Sequence, residues 1–133
     1  MENNKFSKKE RIRYQKDIKK VFEKGDRLIN IYFVAVYLKN GLNYSRIAIV
    51  VRKKFGKANQ RNKIKRYVRE IYRTNKSEFP KGYDLIFLPR KYLSDNFNNI
   101  SYAELRESIL TAFKELKLND EKFGSKGNQI LSN

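Results

Sequence analysis

Between Arg46 and Arg73 the chain passes from strand-like apolar alternation, through a glycine-containing loop, into a helical pattern crowded with cations. The stretch holds eleven Lys or Arg (Arg46, Arg52, Lys53, Lys54, Lys57, Arg61, Lys63, Lys65, Arg66, Arg69 and Arg73) against one acid, Glu70. Any fold must therefore bury the apolar residues of a strand and a helix here while leaving the cations outside. Charge at this density repels itself and is tolerated most easily where a polyanion neutralises it. Nucleic acid is the first partner to consider.

The rest of the chain points the same way. Its 133 residues carry 31 Lys and Arg against 14 Asp and Glu, a formal charge of +17, with no His. Hydrophobic residues at 40% and aromatics at 14% suffice for one compact core, whereas a disordered basic tail is poor in Phe and Tyr. The chain has no Cys, so it lacks disulfides and thiolate metal sites, which fits a reducing compartment. The start, MENNKFSKKERIRYQK, has no apolar signal segment, and no stretch approaches the roughly 20 apolar residues of a membrane span. A soluble cytoplasmic protein is expected.

Along the chain, the first dozen residues read as a flexible or RNA-ordered arm. Ile18, Val21 and Phe22 recur at helical spacing within 16–24, and Gly25 follows as a stop. A short strand is expected near Asp26–Ile29. The run 31–38 (IYFVAVYL) is apolar on both faces and predicts a strand covered on two sides. Asn40 and Gly41 supply a turn into a second strand over about 45–53, which suggests an antiparallel hairpin.

A basic loop, KFGKAN (54–59), precedes a helix running to about Arg73. At 100° per residue, Ile64, Tyr67, Val68 and Ile71 form one face, and Arg61, Asn62, Lys65, Arg66, Arg69 and Arg73 fan over another. Pro80 to Gly82 form a turn before the strand 83–89 (YDLIFLP), and the intervening helix makes a parallel crossover possible. Ser101 and Glu104 form a capping-box pattern for a last helix to about Leu118, with the stripe Tyr102, Leu105, Ile109, Phe113 and Leu116. The expected architecture is one small α/β (α+β) domain over 1–118, with about four strands in a mixed sheet and three or more helices. Residues 119–133 are expected as a frayed tail.

Chemistry performed by the protein itself finds little support. A protein-only nuclease needs a general base, a nucleophile or a carboxylate cluster for metal ions. Without His or Cys the candidates are Asp17, Glu70, Asp84, Asp95 and Glu104, each on a different element, and as solvated or ion-paired carboxylates they need no catalytic role. The basic helix speaks more strongly. A solvated helix face normally mixes signs to gain i,i+4 pairs, whereas Arg61, Lys65 and Arg69 repeat one sign at that spacing. Phe22, Tyr32, Phe33 and Tyr37 are aromatic candidates for stacking on unpaired bases, although most serve the core. Phe22 is best placed, flanked by Lys19, Lys20 and Lys24.

The stretch from Val51 to Glu70, VRKKFGKANQRNKIKRYVRE, resembles the signature of the bacterial ribonuclease P protein subunit, a K-K-x-G-x-A loop leading into R-N-x-x-K-R-x-x-R-E on a helix. Upstream, RIRYQKDIKKVFEKG (11–25) resembles that family's N-terminal segment, and Pro89-Arg90-Lys91 its basic pair after the last strand. The resemblance covers about residues 6–117.

The resemblance implies an α/β sandwich with a left-handed βαβ crossover, an exception to the usual handedness. It implies a large catalytic RNA as partner, which performs the phosphodiester hydrolysis that matures the 5′ end of tRNA and holds most of the Mg²⁺. The protein then binds the 5′ leader of precursor tRNA in a cleft and aids assembly with the RNA, with no catalytic or metal-ligating side chain of its own and no need for a protein oligomer. Carried onto matching positions, Arg61, Asn62, Lys65, Arg66 and Arg69 lie near the catalytic RNA, and Lys53, Lys54 and Lys57 extend that surface. Arg90 and Lys91 add phosphate contacts, and Phe22 and Ile18 line the leader cleft.

Three positions depart from the pattern. Ile18 stands where relatives commonly have Phe, Ala48 where they have Gly and Arg52 where they have Ser, changes that replace a stacking platform by apolar contact and narrow or recharge the cleft floor. Two other readings compete. A ribosomal or RNA-chaperone type protein, binding RNA without a processing reaction, suits the composition equally. A membrane-surface binder suits it less, because the basic helix buries its aliphatic residues and lacks Trp for the interface.

Overall fold

In the computed structural model, residues 6–123 are described. The elements in chain order are α1 (Gln15–Lys24), β1 (Asp26–Ile29), β2 (Phe33–Lys39), β3 (Arg46–Ile49), α2 (Ala58–Thr74), β4 (Tyr83–Pro89), α3 (Lys91–Asp95) and α4 (Tyr102–Phe123), with short 3₁₀ turns between them. The four strands form one mixed sheet in the order β1-β2-β4-β3. Among the described residues no helix is long and apolar enough to cross a membrane.

The expected hairpin between β2 and β3 does not form. Asn40 and Gly41 do make a turn: Asn40 accepts the Leu42 N–H at 2.8 Å, and Gly41 has φ +75°. The chain it redirects passes beyond the position of β4, which inserts between the two strands. β4 pairs antiparallel with β2, Val36 opposite Ile86, and parallel with β3, Ala48 opposite Ile86. The reason is burial. Tyr83 through Phe87 are all buried, and a strand apolar on both faces needs neighbours on both edges as well as cover on both sides. The unit β3-α2-β4 is thus the parallel crossover that the intervening helix makes possible.

Alternation along the strands divides the core in two. On one face Phe33, Ala35, Ile47, Leu85 and Phe87 meet Ile64, Val68 and Ile71 of α2 and Leu105, Ile109 and Phe113 of α4. The Phe33 and Phe87 rings stack at 4.5 Å. Each such buried side chain contributes about 1.5–3 kcal/mol. On the other face Val36 and Ile86 meet Val21 of α1 and Ile12, while Ile18, Phe22, Val34, Ala48, Val50 and Leu88 remain only partly buried. A single ten-residue helix is too small to cover a four-stranded face, and the uncovered apolar floor determines where the grooves lie.

Gly25 ends α1 as its position suggests, donating its N–H to the Val21 carbonyl at 2.8 Å. A Cβ there would stand 2.6 Å from that oxygen and 2.8 Å from the Tyr37 oxygen, so the approach of α1 to β2 requires glycine.

The ends differ from expectation. Residues 1–5 lie outside the described residues, but 6–12 are docked along β3 rather than forming an arm. Arg11 bridges Ile47, the Ile12 N–H reaches the Ile47 oxygen at 2.9 Å, and Ile12 is buried. Buried Glu10 accepts from the Lys76 ammonium at 2.9 Å and the Ser7 N–H at 3.1 Å. An edge strand as short as β3 gains cover from this segment. At the other end the Ser101–Glu104 capping box forms as expected, with the Glu104 N–H 3.1 Å from the Ser101 hydroxyl. The helix runs past Leu118 to Phe123, because extending an established helix costs little. The rest of the expected tail, 124–133, lies outside the described residues.

Candidate RNA-binding surface

Folding sorts the eleven cations of 46–73 into two groups. Four have partners within the protein. Arg46 is clamped by Asp84, Nε to Oδ1 at 2.8 Å and Nη2 to Oδ2 at 2.5 Å, with Asp17 3.8 Å away. The Asp84 hydrogen bonds push the Arg46 guanidinium further toward its charged form. Lys63 sits 5.6 Å from the ring centres of Tyr67 and Phe97, and Arg61 Nε donates to the Gly56 carbonyl at 3.1 Å. Arg73 engages Glu70, the stretch's only acid, at 3.1 Å, and holds that carboxyl below the usual range. The other seven, Arg52, Lys53, Lys54, Lys57, Lys65, Arg66 and Arg69, pair with no carboxylate among the described residues.

These seven are held on firm supports. Phe55 is buried against Phe97, ring centres 5.8 Å apart, and its carbonyl accepts from the Ser94 hydroxyl, which fixes the loop carrying Lys53, Lys54 and Lys57. The Gln60 side chain accepts the Lys57 N–H at 3.3 Å and closes the start of α2. Along α2, Ile64, Val68 and Ile71 are locked into the larger core, so Asn62, Lys65, Arg66 and Arg69 face away from it. The expected burial stripe holds, with Tyr72 added and Tyr67 only half-buried.

Two grooves of about 540 Å³ each open on the α1 face of the sheet. One is lined by Ile18 and Phe22 of α1 with Lys16, Lys19, Glu23 and Val50. The other has a floor of Val34 and Leu88 and a rim of Arg27, Arg52, Lys54, Arg90 and Lys91, with Asp95 as its one acid. In the sheet register Val50 continues β3 beside Leu88, its N–H 3.0 Å from the Phe87 carbonyl, so the grooves share a floor. Lys91 lies 3.4 Å from Asp95, both exposed, a pair that ties down little of the charge.

The sequence-predicted residues therefore fall on three patches. Ile18 and Phe22 share the first groove, and Lys54, Arg90 and Lys91 share the second. Arg61, Asn62, Lys65, Arg66 and Arg69 stay on the outer face of α2, with Lys53 and Lys57 exposed on the loop between. Sequence reasoning passed over Arg27, which shares a face of β1 with Ile29 and stands opposite Val36, and the floor residues Val34, Val50 and Leu88. Arg52, at one of the positions that depart from the family pattern, stands on the rim of the basic groove. Of the scattered carboxylates, Asp17 and Asp84 do converge, but on Arg46. Among the described residues no three Asp or Glu gather where a metal ion could sit.

Comparison with known proteins gives one answer. The Ribonuclease P family pattern matches residues 6–117. The ribonuclease P protein component of Petrotoga mobilis is 53% identical over 117 residues, 88% of this chain and 99% of the relative. That of Thermotoga maritima is 47% identical over 112 residues, 84% and 96% of the two chains. The solved T. maritima RNase P protein superposes with a TM-score of 0.77 at 48% identity, covering 80% of this chain and 96% of that one. A Staphylococcus aureus RNase P protein gives 0.72 at 30% identity, covering 81% and 95%. Cationic loop, basic helix, half-open sheet face and these likenesses agree: the chain belongs to the ribonuclease P protein family.

Proposed function

We infer that this chain is the protein subunit of a ribonuclease P ribonucleoprotein, binding a catalytic RNA and the 5′ leader of precursor tRNA to promote endonucleolytic maturation of the tRNA 5′ end. The observation that carries the reading is the set of cations without carboxylate partners on the 52–57 loop and α2, beside an apolar floor that α1 leaves half covered. Arg66 and Arg69 offer forked donors to phosphates, Lys53, Lys54, Lys57 and Lys65 point charges, and Asn62 a neutral donor and acceptor. Arg61 contacts RNA from a side chain already braced on Gly56. The leader lies across the sheet, its bases against Phe22 and Ile18 and its phosphates toward Arg90 and Lys91.

The hydrolytic chemistry belongs, on this reading, to the RNA. Magnesium ions supply activation of the attacking water and stabilisation of the leaving oxygen, and the RNA holds them. The protein's described carboxylates do not form a cage for such an ion: Asp17 and Asp84 are spent on Arg46, and Glu70 on Arg73. Its part is to neutralise RNA phosphates, bring leader and catalytic RNA together and keep both oriented.

The test is cleavage of a leader-bearing precursor tRNA at low Mg²⁺ by a bacterial ribonuclease P RNA alone, by the protein alone and by both. Efficient cleavage at the mature 5′ end only in the mixture supports the reading. RNA binding with no change in cleavage overturns it in favour of a ribosomal or chaperone role.

A further inference from the structure

Exposed apolar side chains scattered singly need no explanation, but clustered ones do. Three of the six large hydrophobic residues exposed in the described chain, Ile29 (66%), Ile31 (53%) and Tyr92 (44%), lie at one end of the sheet. There the turn between β1 and β2 meets the end of β4: the Arg90 N–H donates to the Tyr32 carbonyl at 2.8 Å, and Arg90 Nη1 to the Asn30 carbonyl at 2.9 Å. Asn30 is held further, its Nδ2 donating to the Ser108 hydroxyl at 2.8 Å and its Oδ1 accepting the Tyr32 N–H at 2.7 Å. These four hydrogen bonds tie the turn down, and its apolar side chains are displayed rather than tucked away.

Tyr92 is braced by a second ring. Its ring centre is 5.7 Å from that of half-buried Tyr32, with the planes at 49°, and 44% of the residue faces solvent. The neighbours Arg90 and Lys91 belong to the rim of the basic groove, together with Arg27. An apolar protein segment docking here would leave those cations uncompensated. A nucleotide satisfies both halves at once, offering a π-face to the ring and phosphates to the cations.

We propose that Tyr92, backed by Tyr32, is a stacking platform for one unpaired base of single-stranded RNA whose flanking phosphates are held by Arg90 and Lys91. The subsite extends the basic groove around the end of the sheet and rests on the RNA-binding function inferred above. It adds an exposed aromatic face to a groove whose floor is aliphatic and whose rim is cationic.

The chain has no Trp, so Tyr92→Trp places a single indole at the platform, excited selectively beyond the tyrosine band. Its emission is expected to be quenched by a short unstructured RNA and left unchanged by an abasic ribose-phosphate chain of equal length and charge. Tyr92→Ala and Tyr92→Leu are expected to weaken binding of the base-bearing RNA about fivefold or more, the lower end of base–aromatic stacking, with the abasic affinity unchanged, while Tyr92→Phe binds as the parent does. Tyr92→Leu guards against a packing defect, since it keeps apolar cover on Tyr32 and lacks only the π-face.

The proposal falls if the Trp variant binds base-bearing RNA without a change in emission, if Leu serves as well as Phe, or if Ala weakens both probes equally. Stimulation of precursor cleavage by the parent protein separates the two levels. With stimulation intact and the platform silent, the subsite alone is wrong; with no RNA binding or no stimulation, the functional reading falls and takes the subsite with it.

Discussion

Replacing Arg66 by Ala separates binding from folding most cleanly. Arg66 is exposed on α2, and Glu70, one turn further along, is engaged by Arg73, so the change breaks no described ion pair. Arg and Ala have similar helix propensities, and an exposed substitution of this kind changes stability by no more than about 0.5 kcal/mol. The effect on RNA binding follows from counterion release. Each phosphate neutralised displaces about 0.7–0.9 of a monovalent cation, so at about 0.1 M salt one lost contact costs roughly five- to eightfold in affinity. The slope of log affinity against log salt falls by the same 0.7–0.9 or so. Titration of the protein into ribonuclease P RNA at several salt concentrations, with a thermal melt in parallel, reads both. A lowered melting temperature with unchanged affinity refutes the placement of Arg66 on the RNA surface. Weaker binding at an unchanged salt slope refutes the phosphate contact.

Phe22→Ala is expected to weaken precursor tRNA binding more than mature tRNA binding, alongside a stability loss of about 1–3 kcal/mol, less than for a fully buried Phe because the ring is half-exposed in the groove. Equal losses on the two tRNAs would make it a packing residue only. Gly25→Ala sets a Cβ against two backbone oxygens at 2.6 and 2.8 Å and is expected to lower stability by about 1–3 kcal/mol; an unchanged melting temperature would show that α1 shifts freely on the sheet. For Glu10, burial raises the carboxyl's affinity for a proton, but the Lys76 ammonium and the Ser7 N–H outweigh it and the net shift is downward. Its contribution to stability is therefore present above the ordinary Glu value of about 4.3 and lost as pH falls through the lower folded value. Denaturant unfolding across acid pH should show a shallower decline in Glu10→Gln than in the parent, and identical declines would mean that the pair contributes nothing.

How much of this was legible depended on whether the determinant was local. The strand 83–89 was readable because a short run apolar on both faces between turn residues has few alternatives, and the Ser101–Glu104 cap because its two partners are three residues apart. The same S-x-x-E spacing stands at Ser7–Glu10, where the Ser7 N–H and hydroxyl both donate to Glu10. There it went unread, since no apolar helix follows, and the segment's docking depends on β3, Tyr72 and Lys76 from distant sequence. The choice of partner for β3 was equally non-local: Asn40 and Gly41 signal a turn correctly, yet only the burial demand of β4 decides which strands become neighbours. At the site, residue type and spacing identified the ridge on α2. They did not reveal that Arg46 is consumed by Asp84, nor that Arg27 faces the groove with Arg90, because each pairing crosses the sheet.

The two faces of that sheet explain why one small domain can carry so much unneutralised charge. Helices α2 and α4 seal one face with a core of large side chains, and that burial stabilises the fold without help from the cations. Among the described residues the other face has only α1 and the docked N-terminal segment, and its floor residues stay half-buried. Cations on the loop, the α2 ridge and the groove rim repel one another in the free protein; apart from Arg61 and Arg90, which brace the Gly56 and Asn30 carbonyls, they contribute little to packing, and their repulsion is relieved when a polyanion arrives. Substitutions should sort accordingly, with ridge charges acting on binding and the α2–α4 core on folding. Ile18, Phe22, Val50 and Leu88 are where the two meet, since each contributes to the smaller core and to the groove floor, and at those positions a loss of stability and a loss of leader binding should appear together.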